Sequence, residues 1–285
     1  MADKVVVASV QMEPIFGRVG ENLEKISSLS RQAAQTGAQL VLFPECALTG
    51  YCFESRQEAL SVAVETDGEP TKRLSQLSKD LSVWLIVGTA ERSGDNLFNS
   101  LFMISPEGLS WVYRKIHLPC IGLDRFADAG DGPLKVVSTA VGRLGLHICY
   151  DAIFPEVARV LTLDGAEVLC LATNWPEGAR PIAQFVPITR TLENRVHYVV
   201  SNRIGTEGGF RFIGHSQIVD ADGKLRKRAG EKEETILIEE LDLTVPRNKR
   251  IVFQEGKYEV NRVGDRRPEF YRLLTESPAP SATKG

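Results

Sequence analysis

Short apolar runs alternate along this chain with stretches of helical spacing. Residues 4–11 and 40–43 are apolar and rich in β-branched side chains, and between them residues 22–35 place Leu23, Ile26, Leu29 and Ala33 on one helical face. That predicts strand, helix, strand. Residues 70–81 repeat the helical pattern through Leu74, Leu77 and Leu81, and 83–87 then read as a buried strand ending at Gly88. Residues 97–104 and 109–113 predict a hairpin, because Ser105-Pro106-Glu107-Gly108 supplies the turn between them.

The second half repeats the theme. Strands are expected at 142–149, 168–172 and 199–202, with helices at 156–164 and 181–196 between them. Residues 212–219 and 235–240 read as antiparallel strands around the turn Asp220-Ala221-Asp222-Gly223. The pattern predicts an α/β layered fold with mixed sheets. No Pro, Gly or Ser-rich linker breaks the chain before about residue 274, so 1–275 reads as one domain; 276–285 (ESPAPSATKG) reads as a short disordered or partner-draping tail.

Composition narrows the class. The 285 residues are 43% hydrophobic and 25% charged, ordinary values for a soluble globular chain. A net charge of -3 gives no reason to expect nucleic acid or an anionic membrane as partner, and the apolar runs at 83–87 and 168–172 fall far short of the roughly 20 residues that span a bilayer. The start MADKVVVASVQ lacks the pattern of a secretory signal. Five scattered cysteines in a chain large enough to build its own core read as free thiols, hence a cytoplasmic protein.

Chemistry is suggested at the ends of three apolar runs, where Glu45, Lys115 and Cys149 stand just before loops. A cysteine acts as nucleophile only as thiolate, so Cys149 needs a base or a cation beside it. Glu45 is the candidate base, its suitability improved if burial raises its pKa. Lys115 is the candidate cation, favouring thiolate and stabilising an oxyanion, with the backbone N–H of Tyr150 as a second donor. Each residue alone has a structural reading: a core cysteine, a helix-start carboxylate, a solvated strand-end charge.

The segments around them, FPECALTGY (43–51), YRKIHLP (113–119) and GLHICYDAIFPE (145–156), resemble the Glu, Lys and Cys motifs of the nitrilase superfamily of carbon-nitrogen hydrolases. The resemblance extends through ATNWP (172–176), RTLENRVHYVVSNRIG (190–205), GHSQIVDADG (214–223) and RRPEFY (266–271). It implies a four-layer α-β-β-α sandwich, an acyl-enzyme on Cys149, no metal or organic cofactor, a small-molecule amide or ureido substrate, and a homodimer or larger homo-oligomer.

Two departures stand out. The family often carries a further glutamate after the lysine, where this chain reads CIGLDRFADAGDG; Asp124 is either a shorter carboxylate in that role or an acid on a surface loop. After the cysteine, Ala152-Ile153 replace an arginine of several branches, which argues against a carboxylate-binding pocket of their kind. Tyr150-Asp151 favours amide or ureido cleavage over nitrile hydrolysis, since true nitrilases usually show Trp-Glu there. Tyr51, Tyr150, Asn174 and Trp175 are candidates for the substrate pocket. Nitrile hydrolysis and a non-catalytic binding or scaffold role on the same fold are the alternatives.

Other motifs fail. His117, His147, His197 and His215 lie far apart with no HExxH or paired CxxC, so no metal site is expected. Gly214-His215-Ser216-Gln217-Ile218 lacks the closing glycine of a nucleophile elbow, and Gly205-Thr206-Glu207-Gly208-Gly209 lacks phosphate-loop spacing and reads as a hairpin or pocket loop.

Overall fold

The computed structural model describes residues 2–276. Two compact units make them up, one ending at Arg247 and one beginning at Asn248, a boundary inside the stretch the sequence reads as continuous. The expected tail at 276–285 lies, apart from Glu276, outside the described residues.

The first unit opens with β1 (Lys4–Gln11), α1 (Val19–Gln35), β2 (Leu40–Leu42), α2 (Arg56–Val62), α3 (Glu69–Leu81), β3 (Trp84–Ser93), β4 (Asn96–Ser105) and β5 (Gly108–Arg114). Next come β6 (Val136–Thr139), β7 (Gly142–Ile148), α4 (Pro155–Leu163), β8 (Val168–Thr173), α5 (Arg180–Asn194) and β9 (His197–Asn202). The hairpin β10 (Ile204–Glu207) and β11 (Phe210–Ile213) leads to β12 (Gln217–Val219), β13 (Leu225–Arg228), β14 (Thr235–Asp242) and α6 (Thr244–Arg247). In the second unit, β15 (Ile251–Gln254) and β16 (Tyr258–Val260) pair antiparallel.

Two six-stranded sheets carry the first unit, in the orders β14-β1-β2-β3-β4-β5 and β13-β12-β9-β8-β7-β6. Each has three parallel strands at its centre, β1-β2-β3 in one and β7-β8-β9 in the other, extended by antiparallel strands. Both faces of the parallel strands are buried, as helical crossovers require.

The side-chain period of two fixes the layers. Leu40 and Leu42 of β2 pack with Leu144, Leu146 and Ile148 of β7 and Val168 and Cys170 of β8 in one cluster between the sheets. Val41 and Phe43 turn the other way, toward Leu23 and Ile26 of α1 and Leu74 and Leu77 of α3. On the far side, Leu169 and Leu171 of β8 meet Val157 and Leu161 of α4 and Ala183 of α5. The order is helix, sheet, sheet, helix, the four-layer α-β-β-α sandwich, and a slip of one residue in any central strand would exchange its two faces.

Two expectations need correction. The pairing of 212–219 with 235–240 does not occur. Gly214 and His215, both at positive φ, break the run into β11 and β12, and the turn at 220–223 joins β12 to β13. β14 instead pairs with β1 in the opposite sheet. Strand β13 was hidden because all four of its residues, LRKR, are exposed and carry no apolar alternation. Gly88, read as a strand end, lies inside β3, which continues to Ser93 in a long pairing with β4.

Candidate active site

Glu45, Lys115 and Cys149 follow the ends of β2, β5 and β7, so the two sheets deliver them from opposite sides. Glu45 sits in a tight turn in which the Ala47 N–H donates to the Pro44 carbonyl at 3.3 Å, followed by a second in which the Gly50 N–H donates to the Cys46 carbonyl at 2.9 Å. The first turn lies on Gly88: a Cβ there would be 2.6 Å from the Cys46 nitrogen and 2.7 Å from the Glu45 Cα, distances no side chain tolerates. The Lys115 backbone N–H donates to the Asn99 carbonyl at 2.8 Å, and its own carbonyl accepts from Gly130 at 2.8 Å.

Glu45 and Lys115 have no exposed surface. Lys115 Nζ donates to Glu45 Oε1 at 2.8 Å and to Asp124 Oδ2 at 2.6 Å. Asp124, on the 3-10 helix Gly122–Arg125, is therefore part of the buried cluster and no surface acid. The Tyr51 hydroxyl lies 2.8 Å from Asp124 Oδ2 and 3.0 Å from the Ile121 carbonyl. Asn99 of β4 completes the set, its Nδ2 donating to Glu45 Oε1 at 2.7 Å and to Asp124 Oδ1 at 2.8 Å.

The inventory leaves two capacities over. Glu45 Oε2 is buried with no partner among the described residues, and the ammonium of Lys115 has a third N–H beyond the two given to carboxylates. A free basic lone pair and a free charge-assisted donor stand in one buried place.

Electrostatics sort these groups. Burial raises the Glu45 pKa and the Asp124 carboxylate adds to it, against the pull of Lys115. Burial opposes the charge on Lys115, but Asp124 and Glu45 outweigh it and hold its pKa well above the ordinary lysine value. Burial pushes the half-buried Cys149 thiol up to about 12, reinforced by Glu45 and opposed by Lys115, the Thr173 side chain and the Asn174 backbone N–H. The resting thiol thus keeps its proton at neutral pH.

Cys149 itself holds φ +44°, a region costly for any residue with a side chain. It opens the 3-10 helix Cys149–Ile153, whose first N–H groups, Tyr150 among them, have no partner within that helix.

Of the remaining candidates, Asn174 lies beside the nucleophile, its backbone N–H meeting the Cys149 thiol, while Trp175 and Tyr150 turn elsewhere. Asn174 is 2% exposed, and neither polar atom of its side chain has a partner among the described residues. Trp175 is packed in the core between the second sheet and its helices. The Tyr150 ring faces outward, edge-on to Phe154. At the positions where the sequence lacks an arginine, Arg190 of α5 donates to the carbonyls of Ala152 at 3.3 Å and Ile153 at 3.1 Å, and to the Glu193 carboxylate at 3.1 Å.

Sequence reasoning missed Asn99, which lies mid-strand with no motif around it. It also missed Glu207, whose Oε1 accepts from the backbone N–H of Tyr51 at 2.7 Å and Cys52 at 2.6 Å, while Oε2 accepts from the buried Arg203 at 2.6 Å. A glutamate four residues after an arginine in an expected hairpin was the available signal. Among the described residues, no group of three or more His, Cys, Asp or Glu is placed to hold a metal ion, and no helix is long and apolar enough to cross a membrane.

Residues 6–250 match the family model described as carbon-nitrogen hydrolase. A Pyrococcus abyssi protein named nitrilase is 39% identical over 268 residues, covering 94% of this chain and 99% of its own. An N-carbamoylputrescine amidase of Solanum lycopersicum is 34% identical over 299 residues, covering 96% of this chain and 97% of its own. The crystal structure of a carbon-nitrogen hydrolase from Helicobacter pylori G27 superposes with a TM-score of 0.86 at 25% identity, over 96% of this chain and 99% of that one. These matches run through both sheets and every segment that supplies the buried cluster, and the chain belongs to the carbon-nitrogen hydrolase family of the nitrilase superfamily.

Proposed function

We propose that the protein is a cysteine-dependent amidohydrolase that cleaves a small amide or N-carbamoyl compound through an acyl-enzyme on Cys149. The observation that carries this reading is the buried cluster of Glu45, Lys115 and Asp124, with Glu45 Oε2 left without a partner.

Because the Cys149 thiol holds its proton, attack and deprotonation go together: Sγ bonds to the carbonyl carbon as Glu45 takes the thiol proton. The oxyanion that forms is met by Lys115 and the Tyr150 backbone N–H, donors of a kind worth ~2.7 to 4 kcal/mol each in the transition state. Collapse breaks the C–N bond, and Glu45 returns the proton to the departing amine or ammonia. Glu45 then takes a proton from water as its oxygen attacks the thioester, releasing acid and restoring the thiol. Asp124 and Asn99 hold Glu45 and Lys115 in place. Five free thiols suit a reducing, cytoplasmic setting, and a homodimer or larger homo-oligomer is part of the same reading.

Tyr150-Asp151 and the relatives named N-carbamoylputrescine amidase favour amide or ureido substrates. The relative named nitrilase favours a second reading, nitrile hydrolysis. Ammonia release from a panel of simple amides, ω-amides, N-carbamoyl compounds and nitriles separates them. Cys149→Ala is expected to abolish turnover, a drop of about 10⁴-fold or more, while remaining folded. Full hydrolysis by that variant would sink the proposal, and a Cys149 acyl adduct in the mass spectrum after brief substrate exposure would support it.

A further inference from the structure

Two residues after the nucleophile stands another buried carboxylate, one that the reaction does not use. Asp151 has no exposed surface, and its two oxygens accept from donors in two separate chain segments. Oδ2 accepts from the Tyr113 hydroxyl at 2.7 Å and the Ile148 backbone N–H at 3.0 Å. Oδ1 accepts from the His117 backbone N–H at 3.1 Å and lies 2.8 Å from His117 Nδ1. In the Nδ1–H tautomer that contact is a hydrogen bond donated by the ring. The His117 ring is held in turn by stacking on Phe154, centroids 3.7 Å apart and 10° from parallel.

The placement of these donors is the informative part. Tyr113 and His117 flank Lys115 at two residues on either side; Ile148 precedes Cys149 and Asp151 follows it by two. One carboxylate therefore fastens the end of β5 in the first sheet to the end of β7 in the second, where ammonium and thiol must meet. The same residue braces the strained turn at Cys149: its side chain takes the Ile148 N–H before the turn, and its backbone carbonyl accepts from the Phe154 N–H at 3.2 Å after it. A positive φ of this kind persists only where its surroundings over-determine it.

We propose that Asp151 is a positioning residue that sets Cys149 against Lys115, acting through Tyr113, His117 and Ile148 and touching no reacting atom. The inference rests on the reading of Cys149 and Lys115 as the reacting pair. An amide in its place has a single acceptor oxygen and turns an NH2 toward two other donors, so Asp151→Asn leaves that side unpaired and the two segments free to shift.

The test uses the full chain and iodoacetamide, an electrophile that carries an amide, with alkylation followed by peptide mass spectrometry. Cys120 is exposed and serves as an internal reference for thiol reactivity in the same tube. Asp151→Asn is expected to slow alkylation at Cys149 by about tenfold or more relative to Cys120, since a displacement of ~1 Å at a reacting centre is worth up to about 10²-fold. For any amide of the panel that is turned over, kcat should fall by a similar factor with little change in KM. Tyr113→Phe removes one donor and keeps the carboxylate, and a loss of about threefold is expected. His117→Asn, which keeps an N–H donor, should retain more reactivity than His117→Leu.

A folded Asp151→Asn variant with the wild-type Cys149 to Cys120 ratio and wild-type kcat would overturn the proposal. If that variant does not fold, Tyr113→Phe decides: wild-type reactivity there overturns it equally. Failure of the catalytic reading looks different, because Cys149→Ala would then go on hydrolysing.

Discussion

Glu45 divides its two oxygens between tasks. Oε1 is held by Lys115 and Asn99, and Oε2 is left open. Only the ionised form of the carboxylate can take a proton, so kcat/KM should rise as pH climbs through a Glu45 pKa that burial has moved above the ordinary 4.5. Stability runs the opposite way. Between 4.5 and the raised value the unfolded chain has lost this proton and the folded chain keeps it, so folding weakens as pH rises through that window. Glu45→Gln removes the buried charge, and Lys115 keeps Asp124 as partner. The variant should be inactive yet melt a few degrees above wild type at pH 8, since about 1 kcal/mol moves Tm by roughly 2–4 °C in a domain of this size. That gap should close toward pH 4; a variant that melts lower at every pH would refute the account. At this scale Glu45, Lys115 and Cys149 were readable because each ends an apolar run inside a motif. Asp124 stood open between two readings, since only the fold of its loop carries it back to Lys115. Asn99 gave no signal, because a mid-strand amide reveals its partners only when the neighbouring strands are in place.

Strand β3 shows how an element can be misread and still be informative. The glycine at 88 resembles a terminator, but its missing side chain makes room for the turn that carries Glu45. The atoms in the way belong to the backbone of Pro44, Glu45 and Cys46, which yields less easily than a side chain. Gly88→Ala should therefore destabilise by about 1–3 kcal/mol, as overpacking does, and lower turnover through displacement of Glu45. Gly20 in α1 has nothing within 4 Å of the equivalent Cβ, and Gly20→Ala should leave activity unchanged with stability equal or raised by up to about 1 kcal/mol. Thermal melts with activity assays check both, and an innocuous Gly88→Ala would disprove the close-contact reading. Elements with a buried face, such as α1, α3 and β8, came through clearly in the sequence. Those without one did not: β13 is fully exposed, and its place at a sheet edge depends on β12.

Beneath the helices that cover the second sheet, His147 lies fully buried on β7 against Tyr198, 2.6 Å from its hydroxyl, on the face opposite Leu146 and Ile148. Burial lowers its pKa from 6.5 to about 4. A histidine depressed in this way contributes stability that is complete above pH 6.5 and is lost as pH falls from there toward about 4, on the order of 3 kcal/mol in all. Acid unfolding of wild type should steepen across that window, and His147→Gln should flatten it; an unchanged slope would exclude His147 as the cause. Periodicity by itself determined the alternation of strands and helices, the apolar faces and the motif residues at strand ends, because those depend on neighbours within a few positions of the chain. The tertiary structure alone decided that β14 joins β1 rather than β12 and that Asp124 and Asn99 close around Lys115 and Glu45. It alone decided, too, that Asp151 ties one sheet to the other. Each of these is a contact between segments distant in sequence, chosen by which polar groups burial leaves in need of a partner, and no local pattern encodes that choice.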